Sequence, residues 1–309
     1  MLDLRRPAAS PLDVQPDQWV GVVGAGLMGA EIALVFALGG RTVLLNDKDP
    51  AALDHAMTRL AGVLDKAVAR GACSVTDRAK ALERIRPTTT LADFNVCDMV
   101  IEAVYEALEV KSDILRRLDE ACRSGCIIAS NTSTLPISTL GAALSPARRA
   151  RFLGAHFFSP VSRMPLVEVI PAFETDETAV EAVIHILADI GKSPIRVKDV
   201  AGFAVNRMLH ALLIEAIRLV EDGVATPEDL DAACRLGLGH PIGPFALMDA
   251  VSSSLCLQVQ EILQESYGER FRPPALLKQR VAAGYRGGRG RQGWLPRAQT
   301  TATDSARAS

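Results

Sequence analysis

The stretch that decides the fold is WVGVVGAGLMG, residues 19–29. Its first half, WVGVV, is a short apolar run ending at a glycine, which reads as a β-strand. Its second half, Gly24-Ala25-Gly26-Leu27-Met28-Gly29, is the G-x-G-x-x-G pattern. A helix is expected from Leu27 to Leu38, stopping at Gly39-Gly40. A glycine loop between a strand and a helix is the setting in which this pattern holds a dinucleotide. Gly24 permits the tight turn, Gly26 lets backbone amides approach a pyrophosphate, and Gly29 lets helix and strand pack closely. The helix N-terminus adds partial positive charge and free N–H groups. Leu27 and Met28, between the second and third glycines, belong to the same candidate cofactor loop.

Working outward, TVLLN (42–46) is a second strand, and Asp47 ends it 23 residues after Gly24. A carboxylate there suits a ribose 2′-hydroxyl and repels a 2′-phosphate, so NAD is expected over NADP, with Lys48 beside it weakening the preference. A long helix follows at 51–70. Strands at DMVIEAV (98–104) and CIIAS (126–130) flank a helix at 109–123. Strands alternating with helices argue for α/β class, a Rossmann-type doubly wound parallel sheet. RFLGAHFF (151–158), PLVEVI (165–170) and SPIRVK (193–198) are strand-like, with a helix near 177–190. From 203 onward apolar residues recur at helical spacing, at Val205, Met208, Leu209, Leu212, Leu213, Ala216, Ile217 and Val220. Thr226-Pro227-Glu228-Asp229 opens another helix, with a threonine cap, proline at the first position and an acid at the third. The expected organisation is a flexible leader (1–17), a dinucleotide domain (18–200), an all-helical domain (201–295) and a disordered tail (296–309).

Composition narrows the function classes. Of 309 residues, 49% are hydrophobic and 23% charged, a globular balance. A formal net charge of −2 gives no electrostatic footprint for nucleic acid. Six cysteines without a CxxC pair fit a reduced cytoplasmic chain and neither a disulfide framework nor a zinc site, so no metal is expected. The first residues lack a long apolar core, although two arginines and few acids leave a transit-peptide reading open. No apolar run reaches the ~18 residues of a membrane span.

Two residues carry the chemistry. His156 sits in the apolar run GAHFFS, and Glu168 sits between Val167 and Val169. A carboxylate among aliphatic strand residues is costly to bury unless its charge is answered. Glu168 has two candidate partners, Arg163 in a structural ion pair and His156. In the second case the acid fixes the imidazole tautomer and stabilises the imidazolium formed when the other nitrogen takes a proton. Oxidation of an alcohol by a nicotinamide needs such a base, because the hydroxyl proton must leave with the hydride.

GVVGAGLMG, VIEAVYE (100–106), SNTSTLPI (130–137), GAHFFSPVSRMPLVEVI (154–170), KDVAGFAVNRML (198–209), GVATPEDLD and GHPIGPFALMD (within 223–249) together resemble the 3-hydroxyacyl-CoA dehydrogenase family, from about residue 18 to 295. The resemblance implies His156 as base and Glu168 as its orienting carboxylate. It implies Ser133 at the substrate's 3-oxygen and Asn206 near the histidine and substrate. Glu106 and Lys111 match polar residues near the cofactor's ribose and nicotinamide, and Ser133 and Ser159 join the cofactor set. The helix carrying Arg59, Lys66 and Arg70 would face the CoA moiety, with Arg70 as a phosphate-binding cation. Plainer roles compete: Ser133 as a turn residue, Asn206 as the cap of the long helix, Glu106 and Lys111 as one solvated helix face.

Three departures stand out. Ser159 replaces the family's usual asparagine, Asp249 is followed by AVSSSLCL, and GYRGGRGRQGWLPR (284–297) replaces a lysine-containing ending. The expectation is an NAD-dependent L-3-hydroxyacyl thioester dehydrogenase, a homodimer through its helical domain, acting on an acyl-CoA. A carrier-protein thioester is the rival substrate, and an inert NAD-binding scaffold is the rival class.

Overall fold

The computed structural model describes residues 18–288 and 290–296. The expected leader, and the expected tail beyond Pro296, lie outside them. The described chain divides into two compact units, one ending at Phe203 and the other starting at Ala204.

The first unit is an α/β sheet built in chain order from β1 (Trp19–Val23), α1 (Leu27–Leu38), β2 (Thr42–Asn46), α2 (Pro50–Ala69), α3 (Val75–Arg84), β3 (Ile85–Thr88), β4 (Met99–Glu102), α4 (Leu108–Ala121), β5 (Ile127–Ser130), α5 (Ile137–Gly141), α6 (Pro146–Arg149), β6 (Phe152–Phe157), β7 (Leu166–Pro171), α7 (Glu177–Asp189) and β8 (Ser193–Arg196). The strand order is β3-β2-β1-β4-β5-β6-β7-β8. Every pairing is parallel except β6 with β7, which is antiparallel. The reversal of order around β1 and β4 creates the crevice where such sheets bind ligands. Two apolar clusters cover the two faces, one under α1, α2 and α7 and the other under α4 and α5.

Local sequence explains most elements. The central strands are continuous apolar runs because both faces are covered. Helix α1 is apolar nearly all round and almost wholly buried, from Gly29 to Ala37. Helix α2 starts with Asp49 accepting from Ala51 N and Pro50 at its first position. The sequence reading missed the short helices α5 and α6, and also helix α3 and strand β3. Helix α3 is capped by Ser74 accepting from Asp77 N. Strand β3 contains Pro87, and it stands at the sheet edge, where a proline is tolerated.

The second unit is helical: α8 (Val205–Glu221), α9 (Pro227–Gly237), α10 (Pro244–Val251), α11 (Ser253–Tyr267) and α12 (Ala275–Ala282). Its core gathers Leu213, Ile217, Phe245, Met248, Leu277 and Trp294. Thr226 caps α9 by accepting from Asp229 N, as its sequence predicts. Asp249 accepts from the amides of Trp294 and Leu295, tying the final described stretch to α10. Among the described residues no helix is long and apolar enough to cross a membrane.

Candidate active site

The glycine loop fits a dinucleotide by its own geometry. Gly24 has φ +98°, and an added Cβ there would lie 2.7 Å from the Ala103 carbonyl. A Cβ on Gly29 would lie 1.9 Å from the Gly24 carbonyl. The protein's own packing therefore demands both. A Cβ on Gly26 would meet nothing within 4 Å. That glycine leaves open space beside a helix start that carries no side-chain cap, which is what a pyrophosphate approaching backbone amides requires. Asp47 sits at the end of β2, with Oδ2 accepting from Ala25 N at 2.9 Å and Oδ1 from Asp49 N at 3.1 Å. The acid thus lies against the loop. Leu27 is half-exposed, and Met28 packs against the core.

The histidine and the glutamate are cross-strand neighbours. His156 on β6 pairs in register with Glu168 on β7, a position that sets the two side chains on the same sheet face. His156 Nδ1 lies 2.9 Å from Glu168 Oε2, and the two residues are 4% and 0% exposed. An ionised carboxylate only accepts, so Nδ1 carries the proton it donates. The other nitrogen, Nε2, lies 3.0 Å from Ser133 Oγ and accepts from that hydroxyl. The imidazole packs beside the rings of Phe158, at 4.5 Å between centroids, and Phe203, at 5.7 Å. Of the two candidate partners for Glu168, the histidine is the one seated opposite it.

Ser133 is held by more than a turn. It lies in the segment after β5, whose groups converge on Glu106. Glu106 Oε1 accepts from Ser133 N at 2.9 Å, Thr134 N at 3.1 Å and the hydroxyls of Thr132 and Thr134. Burial pushes the Glu106 carboxyl up, but the Lys111 ammonium and these donors outweigh it and hold it below the ordinary glutamate range. Lys111 is 1% exposed and bridges Glu102 Oε1 at 2.8 Å and Glu106 Oε2 at 3.2 Å. The plainer alternative, that Glu106 and Lys111 share one solvated helix face, does not hold. Glu106 precedes α4, and Lys111 points into the protein, where two carboxylates answer it.

The same network holds groups that sequence reading missed. Glu102, fully buried at the end of β4, also accepts from Ser130 Oγ at 2.6 Å and Val104 N at 2.8 Å. Asn131 Oδ1 accepts from Phe157 N at 2.8 Å, which ties the serine segment to the strand carrying His156. Glu102 gave a signal like that of Glu168, an acid set in an apolar stretch, here at the end of β4. Removing one partner of such a buried ion pair costs ~3–5 kcal/mol.

The remaining candidates are more scattered. Ser159 is exposed in the link between β6 and β7. Arg70 is exposed and donates to the Lys66 carbonyl of its own helix at 3.1 Å. Arg59 donates instead to the Gly26 carbonyl of the glycine loop at 2.9 Å. Asn206 does not cap α8; the cap position is Ala204, and Asn206 is the second helical residue, in the second unit.

Comparison with known proteins agrees with this architecture. Residues 19–200 match the 3-hydroxyacyl-CoA dehydrogenase NAD binding domain, and residues 202–296 match the C-terminal domain of that family. A probable 3-hydroxybutyryl-CoA dehydrogenase from Deinococcus radiodurans is 38% identical over 276 residues, 89% of this chain and 98% of that protein. One from Bacillus subtilis is 37% identical over 88% of this chain and 95% of its own. The crystal structure of (S)-3-hydroxybutyryl-CoA dehydrogenase from Ralstonia eutropha superposes with a TM-score of 0.86 at 39% identity, covering 90% of this chain and 99% of that one. This chain belongs to the 3-hydroxyacyl-CoA dehydrogenase family.

Proposed function

We propose that the protein oxidises L-3-hydroxyacyl-CoA to 3-ketoacyl-CoA with NAD, and runs the reverse reduction on acetoacetyl-type thioesters. The observation that carries the reading is the hydrogen-bonded row Ser133–His156–Glu168. When bound, NAD supplies the hydride acceptor. His156 takes the hydroxyl proton at Nε2, the nitrogen whose lone pair now accepts from Ser133. Glu168 keeps the Nδ1 proton in place and answers the positive charge that the ring gains. The Ser133 hydroxyl, released from Nε2, holds the substrate's 3-oxygen. Glu106 fixes the serine segment through its amides and hydroxyls. Gly24, Gly26 and Gly29 cradle the pyrophosphate, Asp47 takes the ribose hydroxyls, and Ser159, Leu27 and Met28 line the cofactor path. Asn206 and Arg70 complete the substrate set, at the acyl group and the CoA phosphates. We further read the protein as a cytoplasmic homodimer joined through its helical unit.

The test is NADH oxidation with acetoacetyl-CoA, wild type beside His156→Ala. Wild type turns over; the variant loses at least about a thousandfold in kcat while still binding NADH. Turnover by neither protein favours an inert scaffold, and normal turnover by the variant removes His156 as the base. A parallel panel of carrier-protein thioesters reads whether exposed Ser159 accompanies a different carrier.

A further inference from the structure

Lys192 lies in the turn between α7 and β8, outside the row described above. Its ammonium donates to the Val161 carbonyl and, at 2.9 Å, to the Met164 carbonyl. Both carbonyls belong to the link at 158–165 that joins β6 to β7. The amide of Ser162 in the same link donates to Glu31 Oε2 at 3.3 Å. Glu31 is 8% exposed on α1, the helix that opens at Gly26. Burial draws the Lys192 pKa down to about 8, against the opposing pull of Glu31. A buried carbonyl needs a donor, but a neutral amide would satisfy it. Here a partly desolvated ammonium and a carboxylate placed in an otherwise apolar helix act on one eight-residue link. Glu31 ties the end of the hairpin holding His156 and Glu168 to the helix rooted in the glycine loop, and Lys192 ties the same link to the turn before β8.

We infer that Lys192 and Glu31 are positioning residues for hydride transfer. Glu31 holds the 158–165 link to α1 and Lys192 holds it to the turn before β8, which together set the His156 imidazole and Ser159 at a fixed distance from whatever the glycine loop holds. The inference rests on the dehydrogenase reading above. Neither residue touches the reacting atoms. Each acts through the link, so loss of the tie lowers the chemical step more than it lowers binding, because small misplacements are costly in the transition state.

The experiment compares full-length wild type, Lys192→Met, Lys192→Arg and Glu31→Gln by melting temperature, NADH affinity and steady-state kinetics with acetoacetyl-CoA. Lys192→Met is expected to fold, to keep NADH affinity and KM within about threefold, and to lose about twentyfold or more in kcat. Lys192→Arg restores kcat to within about fivefold of wild type, because it keeps a cationic donor at the same place. Glu31→Gln, which keeps the acceptor for Ser162 and loses the charge, falls between them and decides the matter if Lys192→Met does not fold. Unchanged kcat in these variants overturns the inference. So does a parallel loss of melting temperature, NADH affinity and kcat, which would mark a residue that only holds the fold. A wild type without turnover sinks the dehydrogenase reading instead. Amide exchange over 158–165 then still judges the tie: Lys192→Met speeds it about tenfold if the tie exists and leaves it unchanged if not.

Discussion

Two histidines lie equally deep, one in each unit, each 4% exposed. His156 has both ring nitrogens engaged, one by Glu168 and one by Ser133. His210, on α8, has a buried Nδ1 with no partner, and burial alone draws its pKa down to about 4. Its unit also buries Gln260 with neither amide atom bonded. The contrast shows that depth does not make a base. Burial by itself favours the neutral ring and removes its use as a proton acceptor. A buried anion on one nitrogen, with a displaceable hydroxyl on the other, makes the same ring ready to take a proton. In the first unit the buried His156, Glu168, Glu102 and Lys111 are all connected, whereas in the second His210 Nδ1 and both Gln260 amide atoms are left without a partner.

The largest expected effect comes from breaking the wired histidine. Glu168→Gln keeps the shape but removes the anion, and kcat should fall by about a hundredfold to a thousandfold with KM little changed. Steady-state kinetics decide this, and an unaltered kcat would put His156 on the same footing as His210. The next effect belongs to the stranded ring. Between pH 6.5 and about 4 the unfolded chain binds a proton at His210 that the folded chain refuses. This residue's contribution is therefore fully present above pH 6.5 and is lost as pH falls toward 4. The loss is at most about 3 kcal/mol. Denaturant unfolding of wild type and His210→Leu across that window should show a weaker acid loss in the variant. The smallest effect sharpens the other nitrogen: Ser133→Ala should lower kcat about tenfold, the worth of one hydrogen bond, with NADH affinity unchanged by fluorescence titration.

Much of this contrast was legible in the chain. Glu168 announced itself as an acid in an aliphatic strand, and His156 stood in a neighbouring strand at a distance a hairpin can close. The glycine loop and Asp47 were readable because local backbone demands dictate them. Three features were not. Lys111 looks solvated on a charged helix until tertiary packing places it between Glu102 and Glu106. Strand β3 hides behind Pro87, whose acceptability depends on being at an edge that the sequence does not mark. Asn206 resembles a cap because asparagine favours that position, but the helix begins one residue earlier.

The central claim is that Glu168 holds the proton on Nδ1 and leaves Nε2 of His156 bare. Nitrogen-15 NMR of the histidine side chains reads this directly, with His156→Asn used to pick its signals out of the five histidines. A protonated Nδ1 and an unprotonated Nε2 are expected at mildly alkaline pH, with the preference lost in Glu168→Gln. A proton on Nε2, or a ring exchanging evenly between tautomers in the wild type, would contradict it.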